Sequence, residues 1–311
     1  MNRFSAALLL CVAVIISPAS VARERVTIDT NIARDSDHAK HDGYYLKYRY
    51  ENGTSESPSY WGFGGGTREV RDRRGESSYH AVTAEMEQPL NKTIALRAQV
   101  AKLIDTRWSP WTGSSALVIK PNSRSYTEVF AERNIVDTTR AIEQKLTVET
   151  YGLSSDYRLH PEWTVVGAYF RQDFSDRNER IGKVARLLWE ITPLPWLIAE
   201  LNYKELDADF NGDGYFSPDE LTESLALVTF RGTIFKESHA LQLQIGGGEQ
   251  TINREFSQDL YLAEFKARGW FTESIGHEFT IGCKNTGDVS FAAQADDYRY
   301  CYSRLQLHHV W

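Results

Sequence analysis

The sequence predicts an all-β protein, a transmembrane antiparallel up-and-down β-barrel of about sixteen strands. Three observations carry that prediction. Apolar and polar residues alternate with period two through segments of roughly ten residues, where a helix would spread the apolar side chains around its circumference. The connections between segments are alternately tight and long, like the turns and loops at the two ends of an outer-membrane barrel. The chain closes with Arg304-Leu305-Gln306-Leu307-His308-His309-Val310-Trp311, which puts Leu305, Leu307 and Trp311 on one face of a final strand ending in an aromatic residue.

Taken in order, the first element is an export signal over residues 1–22. Arg3 opens it, Ala6 to Ile16 is its apolar run, and Ser17 to Ala22 offers small residues for cleavage after Ala22. That run is too short to span a bilayer as a helix. The barrel is then expected over 23–311, with both termini periplasmic, in the outer membrane of a Gram-negative bacterium. Strands are expected near 26–33, 44–51, 60–67, 78–87, 93–105, 114–120, 124–132, 147–158, 163–173, 183–191, 196–206, 223–231, 239–248, 259–271, 276–285 and 297–311. Tight turns join alternate pairs at Gln88 to Lys92, Pro121 to Ser123, His160 to Glu162, Thr192 to Pro195 and Thr272 to Ser274. Long external connections are expected at Arg34 to Gly43, Arg68 to Ser77, Arg133 to Gln144, Asp207 to Glu223, Glu249 to Gln258 and Thr286 to Asp296. The segment Arg133 to Gln144 has mild helical character and is expected on the rim. Tyr298, Tyr300 and Tyr302 stand in the register opposite to Leu305 and Leu307, which predicts a bulge near Ser303.

The alternation also nominates the lumen. Lys47, Arg49, Arg97, Glu200, Lys204, Glu264, Lys266 and Arg268 all fall on the polar faces of their strands. Their mixed sign suits a neutral or weakly charged substrate. Outer-membrane lipid is the partner expected for the apolar faces. The formal charge, 35 − 42 = −7, gives no basic surface for nucleic acid.

Two cysteines, Cys283 and Cys301, follow the signal, and their midpoint lies in the polar stretch Asp288 to Asp297. If that stretch turns a hairpin, the sulfurs face each other, and an exported chain would oxidise them. Asp209, Asn211, Asp213, Tyr215, Ser217 and Glu220 occupy positions 1, 3, 5, 7, 9 and 12 of a calcium-loop pattern, with Gly214 at the sharp turn. This predicts a structural Ca²⁺ cofactor that stiffens an external loop. The histidines are scattered and no catalytic motif appears, so no catalytic residue is nominated. Gly62 to Gly66 and Gly246 to Gly248 lack the strand–helix context of phosphate loops and are read as barrel glycines.

Four patches resemble a known family. They are Phe130-Ala131-Glu132-Arg133-Asn134-Ile135-Val136-Asp137-Thr138-Thr139-Arg140-Ala141-Ile142-Glu143, the strand YGLSSDY at 151–157, the turn Asp173-Phe174-Ser175-Asp176-Arg177-Asn178, and Gly214-Tyr215-Phe216-Ser217-Pro218. Together they resemble the C-terminal β-barrel domain of bacterial exopolysaccharide export porins of the poly-N-acetylglucosamine and cellulose type. The resemblance implies a polysaccharide as cargo. In that family a periplasmic helical-repeat domain precedes the barrel. Here the signal runs almost straight into the first strand, so a separate helical-repeat partner is implied. A general diffusion porin and a calcium-dependent outer-membrane lipid-modifying enzyme stand as alternatives.

Overall fold

The computed structural model describes residues 22–36, 38–52, 58–105, 107–212, 214–235, 238–285 and 299–311. The expected signal peptide, residues 1–21, lies outside them. The described chain forms sixteen antiparallel strands closed into one barrel. They are β1 (Arg23–Asp35), β2 (Lys40–Glu51), β3 (Tyr60–Asp72), β4 (Gly75–Pro89), β5 (Ile94–Ile104), β6 (Trp111–Asn122), β7 (Ser125–Ile135) and β8 (Thr147–His160). The second half comprises β9 (Trp163–Phe174), β10 (Glu179–Glu190), β11 (Leu197–Ala208), β12 (Glu220–Ile234), β13 (His239–Ile252), β14 (Phe256–Trp270), β15 (Ile275–Lys284) and β16 (Tyr300–Val310). A one-turn helix, α1 (Thr139–Glu143), interrupts the connection between β7 and β8. Every strand pairs with its sequence neighbour, and β1 closes on β16 from Arg25↔Val310 to Asp35↔Tyr300. Closure leaves no sheet edge unpaired.

Both ends of the described chain lie at the short-turn end, where the backbones of Glu24 and Trp311 bond each other. Turn chemistry explains why that end is tight. The Asn91 carboxamide oxygen accepts from the backbone N–H groups of Thr93 and Ile94, and that of Asn122 accepts from Arg124.

The wall is inside-out relative to a water-soluble protein. Leu46, Phe63, Val82 and Leu201 are between 56% and 60% exposed on the outer face, while Asp29, Thr83, Glu87, Glu200, Glu223 and Thr229 are buried on the inner one. An apolar band of this kind, contributed by nearly every strand, is the surface of a barrel that hydrocarbon surrounds. The glycine runs shape the wall. A Cβ on Gly248 would stand 1.8 Å from the Ser224 carbonyl oxygen, and one on Gly66 would stand 2.1 Å from that of Tyr44. Neighbouring strands approach so closely there that only hydrogen fits, as at a bend in a curved sheet.

Three expectations are corrected. The connections after β1, β3 and β13 are short, spanning 36–39, 73–74 and 253–255, because the charged residues flanking them continue the ladder instead of looping out. No bulge occurs at Ser303. The register of β15 with β16 runs unbroken from Ile275↔His309 to Lys284↔Tyr300. Tyr300 and Tyr302 stack on each other, and Tyr302 donates to Glu264, so these rings serve the lumen and need no realignment toward lipid. Tyr298 lies outside the described residues. The third correction concerns the segment after β7, which does not sit on the rim.

A charged lumen closed by an inward segment

The eight charged lumen residues nominated from alternation are mostly neutralised by neighbours on the same face. Lys47 Nζ lies 2.9 Å from Asp29 Oδ2, and Arg49 Nη2 lies 2.8 Å from Glu85 Oε1. Arg97 bridges Glu87 at 3.1 Å and Glu128 at 3.2 Å. Glu200 accepts from Arg186 at 2.7 Å, and Lys204 meets Glu223 at 3.1 Å. Glu264 holds Lys266 at 2.7 Å, and Arg268 stands opposite Glu278 in the β14–β15 ladder. Of the eight, only Glu264 and Lys266 pair with each other. Their remaining partners were not nominated, because two polar positions on different strands acquire a common address only when the register is set. Asp29 is the hub of one group: its carboxylate also accepts from Arg304 at 2.7 Å and from Gln306 at 3.0 Å. Carboxylates this shielded from water persist as charges because cations and donors surround them.

At the loop end residues 136–146 turn into the lumen. Val136, Asp137, Thr139, Ala141, Ile142 and Leu146 are all buried. Ile142 packs with Val70, Tyr79, Ala81 and Leu103 on the inner faces of β3, β4 and β5, while Val136, Ala141 and Leu146 pack with Phe174 and Tyr215. The local sequence makes this possible. Thr138 is the N-cap of α1, accepting from the Ala141 N–H at 3.0 Å, so a single turn presents its apolar side inward. Polar contacts then tie the turn down. Asp137 forms an ion pair with Arg68 of β3, the Thr139 hydroxyl donates to Asp72, and the Thr138 hydroxyl donates to the Gly214 carbonyl.

Residues 214–217, between β11 and β12, pack against this segment. The Tyr215 ring stacks on Phe174 at 4.6 Å, and its hydroxyl donates to Asp176 at 3.0 Å and accepts from Asn178 at 3.0 Å. Burial pushes the Tyr215 phenol well above the usual tyrosine range. The Asn178 amide also donates to Ser217, and Arg180 donates to the Phe216 carbonyl. Parts of three of the four family-like patches thus meet in one plug, although 76 positions separate Thr138 from Gly214.

The calcium-loop pattern serves other contacts here. Tyr215 and Ser217 are buried against β9 and β10, and Glu220 begins β12 with its carboxylate 2.5 Å from Arg254. Asp213 lies outside the described residues. Among the described residues no three His, Cys, Asp or Glu side chains converge on a point that suits a metal ion. Asp209, Asn211, the Tyr215 carbonyl, Ser217 and Glu220 are the described groups that would hold a Ca²⁺ ion in this loop. Cys283 and Cys301 are joined by a disulfide and face each other directly in the β15–β16 ladder, with Cα atoms 4.1 Å apart. The polar stretch between them, 286–298, lies outside the described residues.

Beside the plug is a polar cavity of about 330 Å³. None of Tyr45, Gln99, Ser114, Glu132 and Asn134 in its lining was nominated from the sequence, because a polar residue on one strand gives no signal of which residues it will meet across the lumen.

This architecture defines a class, the closed sixteen-stranded membrane β-barrel. No family model matches the chain, and no curated protein does. Among solved structures, one described as a bacterial polysaccharide outer membrane secretin superposes with a TM-score of 0.70 at 12% identity, over 95% of this chain and 100% of that one. A crystal structure of a double variant of OccD1 (OprD) gives 0.51 at 8% identity, over 95% and 97%. Both likenesses are of fold.

Proposed function

We propose that the protein is an outer-membrane pore for export of a polysaccharide-like polymer, gated by residues 136–146 with 214–217 packed against them. The observation that carries the reading is the neutralised lumen. A conduit whose inner charges are paired with one another offers hydrogen-bonding groups along its length without a field that would trap either ion. Such a wall suits a neutral, hydroxyl-rich chain. The similarity to the polysaccharide secretin barrel supports the same reading, as do the family-like patches that build the plug. A periplasmic helical-repeat partner and an export signal over residues 1–22 belong to the same proposal.

The test is secretion. Deleting the gene should abolish surface polymer while leaving its synthesis intact, and unchanged secretion would refute the proposal. A general diffusion porin is the competing outcome. It predicts that liposomes carrying the protein swell in small sugars and salts without any effect of longer oligosaccharides. Turnover of purified lipid by the isolated barrel would instead support the enzymatic alternative.

A further inference from the structure

The 330 Å³ cavity is bordered by Arg68 and Leu103, the residues that hold Asp137 and Ile142 of the plug, so it lies where a chain reaching the closure would stop. We propose that it is a binding subsite for a pyranose unit of a neutral polymer, with Tyr45 as the stacking platform. This rests on the pore reading and adds a site to it.

Two walls carry the inference. On one, the Tyr45 ring lies flat against the backbone. A Cβ on Gly66 would fall 2.5 Å from its Cδ1, and one on Gly43 would fall 2.9 Å from its Cε2. Two glycines in this position let a ring lie along the wall instead of projecting from it; the half-buried ring borders the cavity, packs in part against the cluster around Ile142, and has the Lys47 ammonium 5.6 Å from its centroid. The apolar C–H face of a pyranose matches such a surface. On the other wall, Gln99, Ser114 and Glu132 stand directly opposite one another across β5, β6 and β7. Gln99 and Ser114 are exposed to the lumen, and among the described residues their side chains bond no protein group. An amide, a hydroxyl and a carboxylate in a row can accept from and donate to the equatorial hydroxyls at the rim of a sugar. The charges balance: Lys47 and Arg304 meet Asp29, Arg68 meets Asp137, Arg133 meets Glu149, and Glu132 offsets the one cation in excess. The size lies within the range of small-ligand sites.

The experiment is saturation-transfer NMR with calorimetry on the full barrel in detergent, with cellotetraose as probe. Wild type is expected to bind, with the strongest saturation on the axial ring protons. Tyr45→Ala should weaken binding roughly tenfold and Tyr45→Phe should keep it, since the face matters and the hydroxyl does not. Gln99→Ala, which removes a side chain with no partner, should weaken binding several-fold in a barrel that still migrates as folded. Equal affinity in wild type, Tyr45→Ala and Gln99→Ala would overturn the subsite and leave the pore reading untouched. Absence of binding to wild type would overturn it as well, with the pore reading still judged independently by polymer secretion.

Discussion

Replacing Asp137 by alanine should open the barrel. The Asp137 carboxylate is buried at 6% exposure and is the ion-pair partner that the plug presents to Arg68, whose side chain is 25% exposed. Removing one member of a buried pair leaves the other charge uncompensated, a penalty of about 3 kcal/mol or more. That penalty falls on the closed state alone, because an inward segment that has swung out exposes Arg68 to lumen water. The closed-to-open ratio should therefore fall by roughly a hundredfold. Ile142 and Leu146 still favour closure, each contributing on the order of 2 kcal/mol by burial, so the variant should flicker instead of standing permanently open. Single-channel recording in planar bilayers reads this directly as open probability. Arg68→Ala introduced into the Asp137→Ala background should restore part of the closure, since it removes the stranded charge. An Asp137→Ala channel as silent as wild type would refute the role assigned to the pair.

Asp29→Asn removes the anionic hub between Lys47 and Arg304 and should shift the reversal potential of the open channel toward anions in a salt gradient; an unchanged potential would show that these groups do not face the ion path. Tyr215 carries a raised pKa, so its contribution to the plug is fully present below the unfolded value of about 10 and is lost as pH climbs from there through the higher folded value. Closure measured by conductance should accordingly hold across neutral pH and loosen in strong alkali, and Tyr215→Phe should remove that alkaline step. Mass spectrometry of unreduced protein should show the Cys283–Cys301 cross-link, and Cys301→Ser should cost about 3 kcal/mol of denaturant stability for a separation of 18 residues. Calorimetry should show calcium binding, millimolar or tighter, that Asp209→Ala and Glu220→Ala abolish; no heat of binding in the native protein would leave the motif as a coincidence of loop composition.

Much of the architecture is legible in the chain because β-barrel patterning is local. Alternation at Lys47 and Arg49 or at Glu264 and Lys266 reports the inner face within a few residues, and the turn at Asn91 is written in its own side chain. Sixteen strands, the two faces of the wall and the facing cysteines all follow from such short-range rules. The plug does not. Thr138, Asp137 and Ile142 read as a polar helical turn, and their direction is decided by partners on β3, β4 and the 209–219 connection that no neighbouring residue announces. Similarly, Gly214 to Ser217 fits a calcium pattern by spacing, yet Asn178 and Phe174 from another hairpin claim its side chains. The sequence by itself therefore determined the barrel class, about sixteen strands, and the alternation that separates the two faces of most of them. Only the tertiary structure decided which segment turns inward and where the polar cavity lies, because those depend on complementary groups that meet across the barrel after it closes.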